Sequence, residues 1–140
     1  DCSIGGNVAT NAGGARAFKY GVTGDYLRGL EAVLADGSVI RYGGKLVKNV
    51  TGYDLNRLMV GSEGTFGIVT EMTFRLVPKP KYQIDVLIPC SHIKQGVELV
   101  LWLVRDDRIL PSVVEFIEQQ GIAACNQVLG YAMPFPDAAV

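Results

Sequence analysis

The chain has 140 residues, 49% hydrophobic and 19% charged, and a net charge of −1. That length suits one globular domain of roughly 100–200 residues, and the balance excludes a disordered chain. So small a charge gives no global basic field, and no nucleic-acid partner is expected.

Three cysteines (Cys2, Cys90 and Cys125) lie far apart without CxxC spacing. This fits a reducing, cytoplasmic compartment rather than a disulfide framework. The longest apolar run, Val97–Val104, is interrupted by Glu98. It is shorter than the roughly 20 residues that cross a bilayer, so no direct membrane span is expected. The chain opens on a glycine-rich loop without an initiator methionine and closes beyond a Pro-Phe-Pro turn. Both ends read as cuts, which predicts an internal piece of a longer protein.

In chain order, Gly5–Gly24 is rich in Gly, Ala and Asn. Such a stretch packs poorly alone and suits a chain running close to another surface. Leu30–Leu34 and Val39–Tyr42 flank Asp36-Gly37, the signal of a β-hairpin. After Gly43-Gly44, Lys45–Leu58 reads as a loop with one or two helical turns from Asp54 to Leu58. The loop Gly61–Gly67 then enters a strand, Ile68–Val77, with Met72, Phe74 and Leu76 on one face. Pro78-Lys79-Pro80 punctuates the chain, and a domain boundary is placed there.

Beyond it, Tyr82–Ile88 alternates as a strand. Ser91 is the expected N-cap of a helix reaching about Arg105, with Ile93, Val97, Val100, Leu101 and Val104 on its apolar face. Trp102 is expected in the core. Val113–Ile117 reads as a second strand and Glu118–Leu129 as a final helix. The whole pattern predicts an α+β protein.

Three segments carry candidate chemistry. Ile4–Gly14 holds two Gly pairs around small and amide residues. Its main-chain N–H groups can approach a pyrophosphate, with Thr10 and Asn11 adding side-chain donors; a tight turn is the alternative. Gly61-Ser62-Glu63-Gly64-Thr65-Phe66-Gly67 has glycines at i, i+3 and i+6 and leads into a strand. That disfavours a Rossmann site, and Leu46 after Gly44-Lys45 rules out a P-loop. A glycine loop of this kind can still offer main-chain groups to the edge of a flat heterocycle. Lys48-Asn49-Val50-Thr51-Gly52-Tyr53-Asp54 crowds polar side chains into the loop between them. There Asp54 is expected to cap the short helix and Lys48 to be solvated. His92 is the only histidine. One histidine builds no zinc site, and no metal is expected.

Read together, IGGNVATNAGGARAFKYGVTGDY and LEAVLADGSVIRYGGKLVKNVTGYDLNRLMVGSEGTFGIVTEMTFRLVPKP resemble the FAD-binding type 4 family. That family lies within the vanillyl-alcohol oxidase/p-cresol methylhydroxylase (PCMH) superfamily. The likeness spans nearly all of residues 3–80 and is greatest to the branch that holds the flavin subunit of glycolate oxidase and the flavin-dependent D-lactate dehydrogenases.

The resemblance implies the second subdomain of a PCMH-type FAD-binding domain over 1–78. The start of a ferredoxin-like cap, which covers the isoalloxazine ring, would occupy 79–140. It implies cofactor contacts at Ser3, Ile4, Gly5, Gly6, Thr10, Asn11, Ala12, Gly13 and Gly14, and at Glu63, Gly64, Thr65, Phe66, Gly67, Ile68 and Val69. Gly67 is expected to be bare so that main chain can approach the flavin. The family's earlier phosphate loop and its later histidines are missing here, so FAD is expected to bind this stretch alone weakly or not at all. No catalytic residue is assigned, because neither Tyr53 nor Lys48 has geometry to support one. The implied reaction of the parent protein is FAD-dependent oxidation of a small 2-hydroxy acid, of glycolate or D-lactate type, to the 2-oxo acid. Implied partners are that substrate and either further oxidase subunits or an electron acceptor, which would supply any membrane contact. Two alternatives stand: a flavoenzyme of the superfamily with another substrate, and a non-catalytic flavin-fold subunit that acts in assembly.

Overall fold

The computed structural model describes residues 2–130, 132 and 134. The chain divides into two compact units, Asp1–Lys79 and Pro80–Val140, and the break falls inside Pro78-Lys79-Pro80.

The first unit is α+β. Two short helices, α1 (Ile4–Ala9) and α2 (Ala17–Tyr20), precede a 3-10 turn at Thr23–Asp25. Strands β1 (Leu27–Val33) and β2 (Val39–Gly43), helix α3 (Leu55–Met59) and strand β3 (Ile68–Phe74) follow. The sheet is antiparallel throughout, in the order β2-β1-β3. The hairpin closes through Leu34–Ser38: Gly37 N–H donates to the Leu34 carbonyl and Leu34 N–H to that of Ser38, each at 2.9 Å. Gly37 sits at φ +83°, where a glycine is unstrained.

Two irregularities decide which side chains reach the core. Leu27 pairs with Phe74 but Gly29 with Thr73, leaving Arg28 as an extra residue in β1. Glu31 pairs with Glu71 but Ala32 with Val69, leaving Thr70 extra in β3. A bulge shifts the side-chain alternation by one residue. Leu27 and Leu30 therefore enter one core although three apart, and so do Val69 and Met72. Val8 of α1 and Met59 of α3 complete that core, with Val8 fully buried. Burying such a side chain stabilises the unit by about 1.5–3 kcal/mol. Strand β3 stops at Phe74, short of the expected Val77; Leu76, expected inward, is exposed.

The second unit contains α4 (Ile93–Arg105) and α5 (Gln119–Leu129). Here four expectations fail. Neither Tyr82–Ile88 nor Val113–Ile117 is a strand. A strand is defined by its ladder, and alternation alone supplies no hydrogen-bonded neighbour. Tyr82, Ile84 and Val86 stay exposed, while the Phe116 ring lies against Gly96 of α4. The cap of α4 is His92, not Ser91: its Nδ1 accepts from Gln95 N–H at 3.2 Å. Ser91 instead donates through N–H and Oγ–H to Gln95 Oε1, at 2.8 and 3.0 Å. Trp102 is 48% exposed rather than core, and the apolar face around it is largely open. Helix α5 ends at Leu129 as expected, and its C-cap Gly130 is left-handed.

Gly29 shows how tightly the sheet is built. A Cβ there would lie 2.4 Å from Gly44 N and 2.8 Å from the Tyr42 carbonyl oxygen. Backbone cannot yield as a flexible side chain does. Gly29→Ala should destabilise the protein by about 1–3 kcal/mol, read as a lower denaturation midpoint.

Candidate functional site

The two glycine segments meet. Gly61 N–H donates to the Val8 carbonyl at 3.0 Å, and Glu63 N–H to the Ala9 carbonyl at 2.8 Å. Each contact sits next to a core anchor, Val8 on one side and Met59 on the other. The second segment is thereby docked on the carboxyl end of α1, midway along the first.

Locally the first segment is more ordered than its composition suggests. Ser3 Oγ accepts from Gly6 N–H at 3.0 Å and caps α1. The six-residue helix survives two glycines, each unfavourable by about 1 kcal/mol, because Val8 is buried. Ser3 was the sequence signal for this helix, and the glycines masked it. Thr10 Oγ1 then donates to the Gly6 carbonyl at 2.9 Å, so its proton is not free for a ligand. The Thr65 hydroxyl is likewise committed, to the Ser62 carbonyl at 2.7 Å. Asn11, at φ +49°, accepts from Gly24 N–H through Oδ1 at 2.9 Å, leaving its Nδ2 without a partner among the described residues. Left-handed backbone is tolerated better by Asn than by most residues.

A support behind these loops has no signature in sequence. Asp25 Oδ2 accepts from Val22 N–H at 2.9 Å, and its Oδ1 pairs with Arg57 Nη2 at 3.0 Å across 32 positions. Thr23 N–H and Oγ–H both reach the Ala12 carbonyl, at 3.0 and 2.8 Å. Asp25 and Arg57 thus tie the 22–26 turn to α3, immediately before the second loop.

What the site presents outward is bare main chain and uncovered apolar groups. The N–H groups of Gly13, Gly14, Gly64 and Phe66 have no partner among the described residues. A Cβ added at Gly5, Gly14 or Gly64 would meet nothing within 4 Å. Ile4, Phe66 and Ile68 are each more than half exposed. Gly67 differs: a Cβ there would lie 2.7 Å from the Val33 carbonyl oxygen, so the sheet itself already requires its bareness.

The third segment lies elsewhere in the unit. Asp54 caps α3 as expected, accepting from Arg57 N–H at 3.3 Å, and Lys48 and Tyr53 are exposed. The loop closes a groove of about 390 Å³ against β1 and β2, lined by Arg28, Arg41, Asn49, Thr51 and Asn56 among others.

A family model described as the FAD binding domain matches residues 1–43. Over those residues the chain is similar to that family. The chain is 46% identical over 138 residues to glycolate oxidase subunit GlcD of Bacillus subtilis (strain 168). It is 41% identical over 128 residues to D-lactate dehydrogenase of Anaerostipes hadrus. These alignments cover 99% and 91% of the chain but only 29% and 27% of the relatives, so it spans less than a third of their length. Among solved structures, alkyldihydroxyacetonephosphate synthase matches with a TM-score of 0.60 at 19% identity. That match covers 86% of this chain and 21% of the synthase, and shows a shared α+β fold.

The FAD binding domain family implies a dinucleotide, and the residues present fit one. Unpaired main-chain N–H groups suit phosphate oxygens, and open glycine positions let a ligand lie against backbone. Exposed Ile4, Phe66 and Ile68 suit a flat heterocycle.

The Asp25 support is testable by pH. The Val22 N–H bond, then Arg57, hold its carboxyl below the ordinary 3.8. A depressed folded pKa means the contact is present above 3.8 and lost as pH falls through the lower folded value. A carbon-13 titration of the folded protein should place the Asp25 midpoint below 3.8. A midpoint at or above it would remove Asp25 from the support.

Proposed function

We propose that the protein containing this chain is an FAD-dependent oxidoreductase that converts a small 2-hydroxy acid, of glycolate or D-lactate type, to its 2-oxo acid. The observation that carries the reading is the hydrogen-bonded junction of the two glycine segments, in a chain 41–46% identical to a glycolate oxidase subunit and a D-lactate dehydrogenase. Both segments carry unpaired N–H groups at exposed residues, donors that one elongated cofactor could use.

In this reading Ser3–Gly6 and Thr10–Gly14 line the pyrophosphate and neighbouring flavin, and Glu63–Val69 forms the second contact. Gly13 and Gly14 N–H donate to phosphate oxygens; Gly64 and Phe66 N–H donate to the heterocycle edge. The Asn11 amide adds a side-chain donor. Phe66 and Ile68 exclude water from one side. FAD supplies hydride acceptance when bound, and the chain's part is orientation and hydrogen bonding. No residue of the chain is assigned as the base that takes the hydroxyl proton. In this reading the protein's partners are that substrate and either an electron acceptor or further oxidase subunits. No helix among the described residues is long and apolar enough to cross a membrane. We place the protein in the cytoplasm, with any membrane contact made through partners. This stretch alone should bind FAD weakly or not at all.

Two glycine substitutions separate cofactor contact from folding. Gly14→Val has open space around it and should fold normally, yet lower flavin stoichiometry severalfold in the purified full-length protein, read from flavin absorbance. Gly67→Val should lose the fold itself, because of the Val33 carbonyl. Full flavin occupancy in folded Gly14→Val would count against the first segment as a cofactor contact. A colourless wild-type protein that takes up no added FAD would favour the assembly role instead.

A further inference from the structure

An asparagine amide can present either an acceptor or a donor to a ligand. At Asn11 a neighbour fixes the choice. Gly24 N–H is a donor, so the amide atom 2.9 Å from it is Oδ1 and the other is Nδ2. Asn11 is half-buried. Among described residues that are not exposed, Asn56 Oδ1 is the one buried side-chain nitrogen or oxygen without a partner, so the unpaired Asn11 Nδ2 reaches solvent. The main chain is fixed as well. Asn11 N–H donates to the Val8 carbonyl at 3.2 Å, the same carbonyl that accepts from Gly61. Asn11 therefore stands where the two glycine segments join.

What holds Gly24 in place is the turn around it. Gly24 is buried, and a Cβ there would lie 2.9 Å from Asn11 Oδ1 and 3.0 Å from Val60 Cγ1. The turn is thus wedged between the first segment and the residue that precedes the second. Thr23 fastens it to the Ala12 carbonyl through N–H and hydroxyl. Asp25 closes it on itself at Val22 N–H and anchors it to α3 at Arg57.

The two functions of Asp25 differ in weight. Its ion pair with Arg57 is partly exposed on both sides, and pairs of that kind contribute little. The Val22 bond is charge-assisted and lies within the turn, so loss of the carboxylate disturbs Gly24 more than loss of the guanidinium does.

We propose that Asp25 is a positioning residue for the cofactor: through Gly24 it fixes the Asn11 amide so that its NH2 group, rather than its carbonyl, is offered to the bound dinucleotide. The inference rests on the flavin reading of the first segment. The matching ligand atom is an acceptor, a phosphate oxygen or a ring carbonyl. Asp25 itself acts at a distance, through the turn.

The test measures the FAD dissociation constant of flavin-free full-length protein, from the quenching of FAD fluorescence. Asn11→Gly keeps the left-handed backbone unstrained and removes the amide; it should weaken binding about fivefold. Asp25→Ala should weaken it about threefold and Arg57→Gln about twofold. Asp25→Asn, which can still accept from Val22 N–H, should recover most of the loss. In the Asn11→Gly background, Asp25→Ala should cost nothing further. Equal losses in both backgrounds would mark Asp25 as a general structural support and overturn its role toward Asn11. Hydrogen exchange of the flavin-free protein gives a second readout. The Gly24 amide should exchange faster in Asp25→Ala and in Asn11→Gly than in the wild type, and an unchanged rate in Asp25→Ala would also overturn the role. Should Asp25→Ala fail to fold, Arg57→Gln carries the same cycle and the same exchange measurement. A wild-type protein that takes up no FAD would overturn the flavin reading and the ligand role of Asn11 together, whereas additive losses with wild-type uptake intact would overturn Asp25 alone.

Discussion

Two main-chain hydrogen bonds, Gly61 N–H to Val8 and Glu63 N–H to Ala9, hold together segments more than fifty positions apart. Neither bond is strong alone, since an intramolecular hydrogen bond contributes about 0.5–1.5 kcal/mol net. Their consequence comes from what lies beside them. Val8 and Met59 are both in the core of the first unit, so each partner of the junction is anchored from behind. The ordering of two glycine-rich loops, which would be entropically costly in isolation, is carried by apolar burial a residue or two away. Anything that binds along both loops inherits that arrangement.

The glycines divide by the reason they are bare. At Gly29, Gly43 and Gly67 a Cβ would run into backbone, which makes these residues part of how the sheet is built. At Gly5 and Gly14 the fold makes no such demand on space, while Gly64, with open space around it, sits at φ +79°, where glycine alone is unstrained. Composition cannot separate the two groups, because both are written with the same letter. Coordinates can, and they move Gly67 from the second group to the first.

The α+β class, the hairpin, the short helix capped by Asp54, and strand β3 were legible in the pattern of residues, since each rests on local signals. The strand bulges at Arg28 and Thr70 were not, because a bulge is set by the register of a partner strand. The Asp25–Arg57 pair spans 32 positions and leaves no trace in spacing. Helix α1 was hidden by its own glycines, which propensity penalises while the buried Val8 compensates. In the second unit alternation was misleading: Tyr82–Ile88 and Val113–Ile117 have the composition of strands without a ladder. Ser91 looked like the better cap by residue type, but the next residue, His92, caps through its ring nitrogen.

The central claim is that one dinucleotide lies along both glycine segments. Hydrogen–deuterium exchange on the full-length protein, with and without FAD, tests it most directly. Slower exchange on FAD binding should concentrate at the amides of residues 3–14 and 61–69. Protection confined to other regions, with both segments exchanging equally in the two states, would contradict the account.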